Sequence, residues 1–260
     1  MTTSPLLSAA PPARPLSLAA KPRELTPLDA GTLVLSVLMP VYNEFNTIET
    51  ILDRVHATPI RKEIICVDDC STDGTRDRLQ QLKESGYIDQ LILQPQNGGK
   101  GKAIRTALAV STGDVVIVQD ADLEYDPQDW PTLLQPIVEG KADACFGSRF
   151  LGGPHRVLYY WHSVGNRMLT TFSNMLTNLN LTDMETCYKA VRGDLARSLL
   201  LTSDRFGFEP EITARLAHRD ARIYEVPISY AGRTYAEGKK ISWRDGLAAF
   251  WHILKFSLSR

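Results

Sequence analysis

The stretch Val115–Asp122, which reads VVIVQDAD, decides the fold class of this chain. Its four leading apolar residues predict a buried strand, and Asp120 and Asp122 follow at the carboxyl end of that strand. Two carboxylates spaced i, i+2 on extended backbone point the same way, so their repulsion and desolvation require a cationic partner. Carboxylate oxygens suit Mg²⁺ or Mn²⁺, so the pair predicts a metal site, although a solvated Asp-rich turn is the alternative for a lone D-x-D string.

Two further strands end in polar, acid-bearing segments. Val34–Met39 runs into PVYNE at Pro40–Glu44, and Glu63–Val67 runs into VDDCSTDGT at Val67–Thr75. Three apolar strands with acids at their carboxyl ends predict an α/β fold with an open, mostly parallel sheet and a ligand crevice along that edge. Amphipathic segments between the strands predict helices on both faces of the sheet. These segments are Asn46–Ala57, Asp73–Ser85 and Lys102–Thr112.

Composition limits the class of partner. The chain has 260 residues, of which 43% are hydrophobic, and its 29 basic and 30 acidic residues give a net charge of −1. This length accommodates one large α/β domain. A near-neutral charge argues against nucleic acid as a partner, so any phosphate site must be built locally.

Cysteine spacing and the amino-terminal composition predict the compartment and the domain boundaries. The four cysteines have no CxxC spacing, which predicts reduced thiols in a cytoplasmic protein instead of a zinc site. Residues 1–30 are rich in Pro, Ala, Ser and Leu, which predicts a disordered leader and not a signal peptide. We therefore predict a leader at 1–30, a catalytic domain at 31–240 and an amphipathic helix at 241–260.

Six strings in one order carry a family resemblance. They are PVYNE, VDDCSTDGT, GGKGKAIRTAL, QDADLEY, FGSRF and RTYAEGKK, and the resemblance that they carry covers about residues 34–240. Their order and spacing resemble the family-2 glycosyltransferases with a GT-A fold, and among these the polyprenyl-phosphate sugar synthases. The resemblance implies an inverting, metal-dependent enzyme that moves a sugar from a UDP- or GDP-linked donor to a dolichyl or undecaprenyl phosphate.

The resemblance also assigns residues to the donor. It implies that Asp120 and Ala121 contact the nucleotide-sugar and that Asp122, as a catalytic residue, binds the metal with Glu124 and the neighbouring Asp120. Relatives often have Gln where this chain has Glu124, which changes the charge of that ligand. The metal ion would act as a Lewis acid on the leaving diphosphate.

Other positions are assigned to the nucleotide and its phosphates. The resemblance implies a nucleotide pocket formed by Pro40, Tyr42, Glu44, Val67 and Asp69. The alternative for Tyr42 is ordinary packing. The alternative for Glu44 is that its charge stabilises the start of a helix. Three basic residues are assigned to the diphosphate, with solvent-facing lysines or a basic surface loop as the alternative: Lys100, Arg233 and Lys239.

The sequence leaves two kinds of acceptor possible, a lipid phosphate and a hydroxyl group. The resemblance places Arg149, in FGSRF, beside a lipid phosphate, which a guanidinium binds with two donors. TDMETCYK departs from the TDxxxGFR-like pattern of the lipid enzymes and places Asp183 and Glu185 where enzymes with hydroxyl acceptors carry a base. Helix capping by Asp183 and an i, i+4 pair of Glu185 with Lys189 are the structural alternatives.

The carboxyl-terminal segment has apolar residues on one helical face. This face suits packing on the catalytic domain, a second copy of the chain in a homo-oligomer, or peripheral contact with the inner face of the membrane. We favour packing and keep the other two open. The residues are Trp243, Leu247, Phe250, Trp251, Leu254 and Leu258.

Overall fold

Seven strands form one sheet in the part of the chain that the computed structural model describes, which is residues 25–259 except 153, 158, 206 and 235–242. The strands are β1 (Leu35–Val41), β2 (Lys62–Asp68), β3 (Gln90–Leu93), β4 (Val115–Val118), β5 (Ala144–Ser148), β6 (Lys189–Arg192) and β7 (Ile223–Pro227). Their order is β3-β2-β1-β4-β6-β5-β7. Only β6 is antiparallel to its neighbours, β4 and β5, so the sheet is mostly parallel, as predicted.

Helices connect most of the strands. They are α1 (Ile48–Ala57), α2 (Thr75–Glu84), α3 (Lys100–Val110), α4 (Trp130–Val138), α5 (Tyr160–Thr177), α6 (Gly193–Ser198), α7 (Phe208–His218) and α8 (Trp243–Leu258). All four residues of β4 are buried, and so are six of the seven in β1. Because successive strand residues point to opposite faces, both faces of the sheet centre are covered, as the predicted helix layers require.

The register of the central strands brings the acid-bearing segments to one edge. Leu38 of β1 is opposite Val118 of β4, and Val41 of β1 is opposite Asp68 of β2. Because these pairs are parallel, the residues that follow each strand emerge at the same edge of the sheet. The structure thus brings the acid-bearing segments to one edge of the sheet, as the sequence predicts.

Several predicted boundaries move by a few residues. Helix α3 begins at Lys100, two residues before its predicted start, directly after Gly99 at φ 90°. Arg149 follows β5 directly and does not lie within it. Residues 1–24 of the predicted leader lie outside the described residues, whereas Leu28 N donates to Val138 O in α4 at 2.9 Å.

Helix α8 packs on the domain with part of its surface. Ala249, Ile253 and Phe256 are buried, and the rings of Phe250 and Phe172 in α5 are 5.5 Å apart. Among the described residues, no helix combines the length and the apolar character that crossing a membrane requires.

Candidate active site

Three acids lie in the turn that follows β4. Leu123 adopts φ 66°, and this left-handed residue turns the chain so that Glu124 N donates to Asp122 Oδ1 at 3.2 Å. Asp120 and Asp122 flank Ala121, which is buried. The predicted strand-end pair therefore exists, and a local turn adds Glu124 to it.

Arg233 lies against these acids, although it is more than 100 residues away in sequence. Its Nη2 is 2.9 Å from Asp122 Oδ2, and its backbone N donates to Glu124 Oε1 at 2.9 Å. Its Nη1 is 3.5 Å from Glu44 Oε2. One guanidinium thus touches the carboxylates that follow β1 and β4 and joins two of the segments predicted to bind the donor.

The acids carry more negative charge than this guanidinium balances. Burial, together with the charges of Asp120 and Glu124, raises the pKa of Asp122 to about 7, even though Arg233 lowers it. In the described part of the chain, no three His, Cys, Asp or Glu side chains are arranged to hold a metal ion. The chemistry of the residues nevertheless fits a divalent cation, because these half-buried carboxylates are hard oxygen donors whose negative charge Arg233 does not balance.

A lysine holds the first acid of the turn. Lys100 Nζ is 3.0 Å from Asp120 and 3.0 Å from Glu209 Oε1 in α7. Burial disfavours the ammonium, but the two carboxylates hold the pKa of Lys100 well above its ordinary value. Sequence reasoning did not single out Glu209, and its only signal was an acid inside the apolar run FGFEPEI.

The predicted nucleotide residues lie at the same edge, but their carboxylates have protein partners. Asp69 accepts hydrogen bonds from the backbone N of Gly98 and of Gly99, both at 2.7 Å. Gly99 is required here, because its φ is positive and a Cβ would lie 2.6 Å from Asp204 O. Pro40 and Val67 belong to β1 and β2, and Tyr42 is exposed just after β1. Asp69 thus orders the glycine loop that precedes Lys100.

Arg149 and Asp183 form a two-pronged ion pair. Arg149 Nε is 2.7 Å from Asp183 Oδ2, and its Nη2 is 2.8 Å from Oδ1. Asn166 in α5 donates to the same carboxylate at 3.0 Å. Burial opposes ionisation, but Arg149 keeps the pKa of Asp183 below its ordinary value. Asp183 is therefore suited to positioning Arg149 and poorly suited to accepting a proton.

Glu185 has the opposite character. Burial, with the nearby charge of Glu209, raises its pKa to about 7, and its Oε1 has no hydrogen-bond partner. The ammonium of Lys189 donates to the backbone carbonyls of Met184 and Thr186, at 2.8 Å for Met184. Of the two predicted candidates, Glu185 is thus the one whose carboxyl can take up a proton near neutral pH.

Tyr230 joins the two groups of residues. Its hydroxyl donates to Glu124 Oε2 at 2.8 Å, and its ring centre is 5.1 Å from the guanidinium carbon of Arg149. Sequence reasoning missed Tyr230, which stands three residues before Arg233 and has no motif of its own. The acids after β4 and the arginine after β5 therefore lie on either side of one tyrosine. Lys239, which the sequence assigns to the diphosphate, lies outside the described residues.

Comparison with known families identifies the group to which the chain belongs. The family described as "Glycosyl transferase family 2" matches residues 36–200. This chain is a member of glycosyltransferase family 2. It is 28% identical over 241 residues to the undecaprenyl-phosphate mannosyltransferase of Micrococcus luteus, which covers 85% of this chain and 97% of that protein.

Other family-2 relatives are longer than this chain. The dolichol-phosphate mannosyltransferase of Pyrococcus furiosus is 26% identical over 210 residues, and the hexosyltransferase Agl6 of Haloferax volcanii is 30% identical over 229 residues. These matches cover 79% and 86% of this chain, but the chain spans only 58% and 53% of those two proteins.

A solved structure confirms the fold of the family-2 enzyme. Glucosyl-3-phosphoglycerate synthase from Mycobacterium tuberculosis, in a crystal with Mn²⁺, UDP and glucosyl-3-phosphoglycerate, superimposes with a TM-score of 0.67 at 21% identity. The match covers 88% of this chain and 80% of that one. The chain is thus a glycosyltransferase with a GT-A fold, as predicted.

Proposed function

We propose that the protein is an inverting, metal-dependent glycosyltransferase that moves a sugar from a nucleotide-diphospho-sugar to a polyprenyl phosphate. The observation that carries this proposal is Tyr230, which links Glu124 to Arg149. It brings a group of acids suited to a cation next to an arginine suited to a phosphate. The match to an undecaprenyl-phosphate mannosyltransferase over 97% of that protein supports the same acceptor.

The donor edge consists of the segments that follow β1, β2 and β4, with Lys100 and Arg233. Asp122 and Glu124 would hold Mg²⁺ or Mn²⁺, with Asp120 beside them. When bound, the ion supplies a Lewis acid that stabilises the departing nucleoside diphosphate. Arg233 already contacts Asp122 and Glu124, so its guanidinium is within reach of the same diphosphate charge.

The acceptor side consists of Arg149, Asp183, Asn166 and Glu185. Asp183 binds two nitrogens of Arg149, which fixes the plane of the guanidinium beside the donor edge. A phosphomonoester oxygen is already anionic near neutral pH, so its attack needs orientation and charge balance and no protein base. Attack from the face opposite the leaving diphosphate would invert the anomeric carbon.

A hydroxyl acceptor is the second candidate, and Glu185 favours it. A hydroxyl must lose its proton as it attacks, and a base with a pKa near the working pH does this best. The raised pKa of Glu185 and its unpartnered oxygen meet this requirement, whereas the Arg149-bound Asp183 does not.

Nucleotide release from a panel of UDP- and GDP-sugars separates the two candidates. Release would be measured with Mg²⁺ or Mn²⁺, with and without a short-chain polyprenyl phosphate. Asp122→Asn is the test variant, and Asp77→Asn, at an exposed acid of α2, is its matched control. Release that the lipid phosphate stimulates, and that only Asp122→Asn loses, is the expected result. Metal-dependent release that ignores the lipid and disappears in Glu185→Gln would establish the hydroxyl acceptor instead.

A further inference from the structure

Helix α5 has an exposed apolar stripe. Trp161, Met168 and Met175 are spaced seven residues apart, so they lie along one side of the helix. Their side chains are 76%, 58% and 76% exposed, and Tyr160 beside them is 71% exposed. Single exposed apolar residues are ordinary on a protein surface, but a stripe of large ones along a helix marks an interaction site.

Helix α8 continues this surface. Phe172 of α5 contacts Phe250 of α8, and Met168 and Met175 stand one helical turn before and after Phe172. Leu254 stands one turn after Phe250 and next to Trp251 and Leu258 on the same side of its helix. We call the combined surface the α5–α8 face. It consists of Tyr160, Trp161, Met168, Met175, Trp251, Leu254 and Leu258, all of which are exposed.

The two segments that contribute the residues of this face contain no acidic residue, although Asp245 lies in the first turn of α8. Residues 144–182 and 246–260 lack Asp and Glu altogether, although the chain contains 30 of them. The basic residues of these segments include Arg156, Arg167 and Lys255, of which Arg167 and Lys255 lie exposed on α5 and α8 themselves. A partner of the α5–α8 face must therefore offer apolar surface and carry a neutral or negative charge.

Helix α5 connects the face to the acceptor side. Asn166, one residue before Arg167, donates to Asp183, which holds Arg149. The loop that leads into α5 is attached to the same place, because Arg156 N donates to Tyr230 O at 2.8 Å. A surface bound to the α5–α8 face would thus lie against a helix whose other side contacts the residues to which we assign the acceptor phosphate.

We propose that the α5–α8 face docks on the surface of an anionic lipid bilayer. Trp and Tyr side chains prefer the membrane interface, and helices with an apolar side lie in its plane. Anionic headgroups attract the exposed arginine and lysine, and no acid within residues 144–182 or 246–260 repels those headgroups. The consequence for the acceptor rests on the proposed function: a polyprenyl phosphate could keep its chain in the bilayer while its phosphate meets Arg149.

Vesicle flotation of the full-length protein tests this docking. The wild type is expected to float with phosphatidylglycerol–phosphatidylcholine vesicles at low salt, and less with phosphatidylcholine alone. Met168→Glu with Met175→Glu should lower the bound fraction about tenfold, because it removes apolar area and adds repulsion. Leu200→Glu, at a leucine that is 77% exposed outside this face, is the control and should bind like the wild type.

Three outcomes would overturn the proposal. One is a wild type that does not bind anionic vesicles, and another is equal vesicle binding by Met168→Glu with Met175→Glu and by Leu200→Glu. The third is a wild-type dimer that the double glutamate variant dissociates without any vesicle binding, which would make the face a contact between two copies of the chain. Trp161→Ser with Trp251→Ser provides a second, uncharged variant should the glutamates disturb folding.

Transfer assays on the wild type and the double glutamate variant distinguish a failure of docking from a failure of the proposed function. Transfer to a short, water-soluble polyprenyl phosphate should be unchanged by Met168→Glu with Met175→Glu, whereas transfer to a long-chain acceptor in vesicles should fall. A wild type that binds vesicles but transfers to neither acceptor would refute the proposed function and leave docking in place. Transfer to the short acceptor without vesicle binding would support the proposed function and refute docking.

Discussion

The donor edge and the acceptor side assemble their charged residues in different ways. At the donor edge, Asp120, Asp122 and Glu124 come from one continuous turn after β4, and Arg233 is added to them. On the acceptor side, Arg149, Asn166 and Asp183 come from a strand end, a helix and a loop. The donor acids are close because they are neighbours in sequence, so only the acceptor side depends wholly on tertiary packing.

The largest expected effect is on activity at the donor edge. Asp122→Asn should lower kcat about 10²–10³-fold, because it removes charge that stabilises the metal-bound leaving group. It should not destabilise the metal-free protein at pH 8, since the repulsion that raises the pKa of Asp122 disappears. Steady-state kinetics and thermal unfolding in chelator check both statements. Marked destabilisation by Asp122→Asn would show that this acid is structural.

On the acceptor side, an effect on stability is expected as well. Arg149→Gln leaves the buried Asp183 carboxylate without its cation and should cost about 3–5 kcal/mol in the free energy of unfolding. Adding Asp183→Asn should recover part of that loss, because no unpaired charge then remains buried. Denaturant unfolding of both single variants and the double variant measures this coupling. Additive losses would contradict the two-pronged pair.

Glu209 tests whether the donor edge extends to α7. Glu209→Gln removes one of the two carboxylates that hold Lys100. It should lower kcat/KM about tenfold, because Lys100, the partner of Asp120, is then positioned less firmly. Glu209→Asp should restore part of the activity if charge is what matters. Glu84→Gln, at an exposed acid of α2, serves as control. Equal activity of both Gln variants would exclude Glu209 from the donor edge.

The smallest expected effect is the pH dependence that Glu185 causes. Its pKa is raised in the folded state, so the protonated form is favoured and stability is lost as pH rises from about 4.5 through about 7. Glu185→Gln should flatten the pH profile of unfolding in that window, and transfer to a phosphate acceptor should change only a few-fold. Thermal unfolding from pH 4 to 8 compares the two proteins. An unchanged profile would contradict the raised pKa.

The apolar strands of the sequence and the polar residues that follow them predicted much of the donor edge. The apolar runs before Pro40, Asp68 and Asp120 have the length and composition of buried strands, and the polar residues after them had to emerge together in a parallel sheet. Arg149 likewise directly follows a buried strand, β5. In these places local pattern and tertiary structure agree because the strand itself places the functional residue.

Partners across long sequence distances were not predictable. Asp183 was a candidate base from its motif, but the fold pairs it with Arg149 and Asn166. Glu209 and Tyr230 showed no spacing that would mark them, and each became important only through the side chain it contacts. Contacts of this kind depend on how α5, α7 and the segment after β7 pack, which local periodicity does not encode.

The sequence alone determined the fold class, the family and the edge of the sheet at which the residues proposed to bind the donor collect. It did so because strand period, strand-end acids and their order are local properties of the chain. Only the tertiary structure decided which carboxylate holds Arg149, which one retains a raised pKa, and which apolar residues of α5 and α8 remain exposed. Burial and charge pairing arise between segments distant in sequence, and the free energy of each side chain depends on those neighbours.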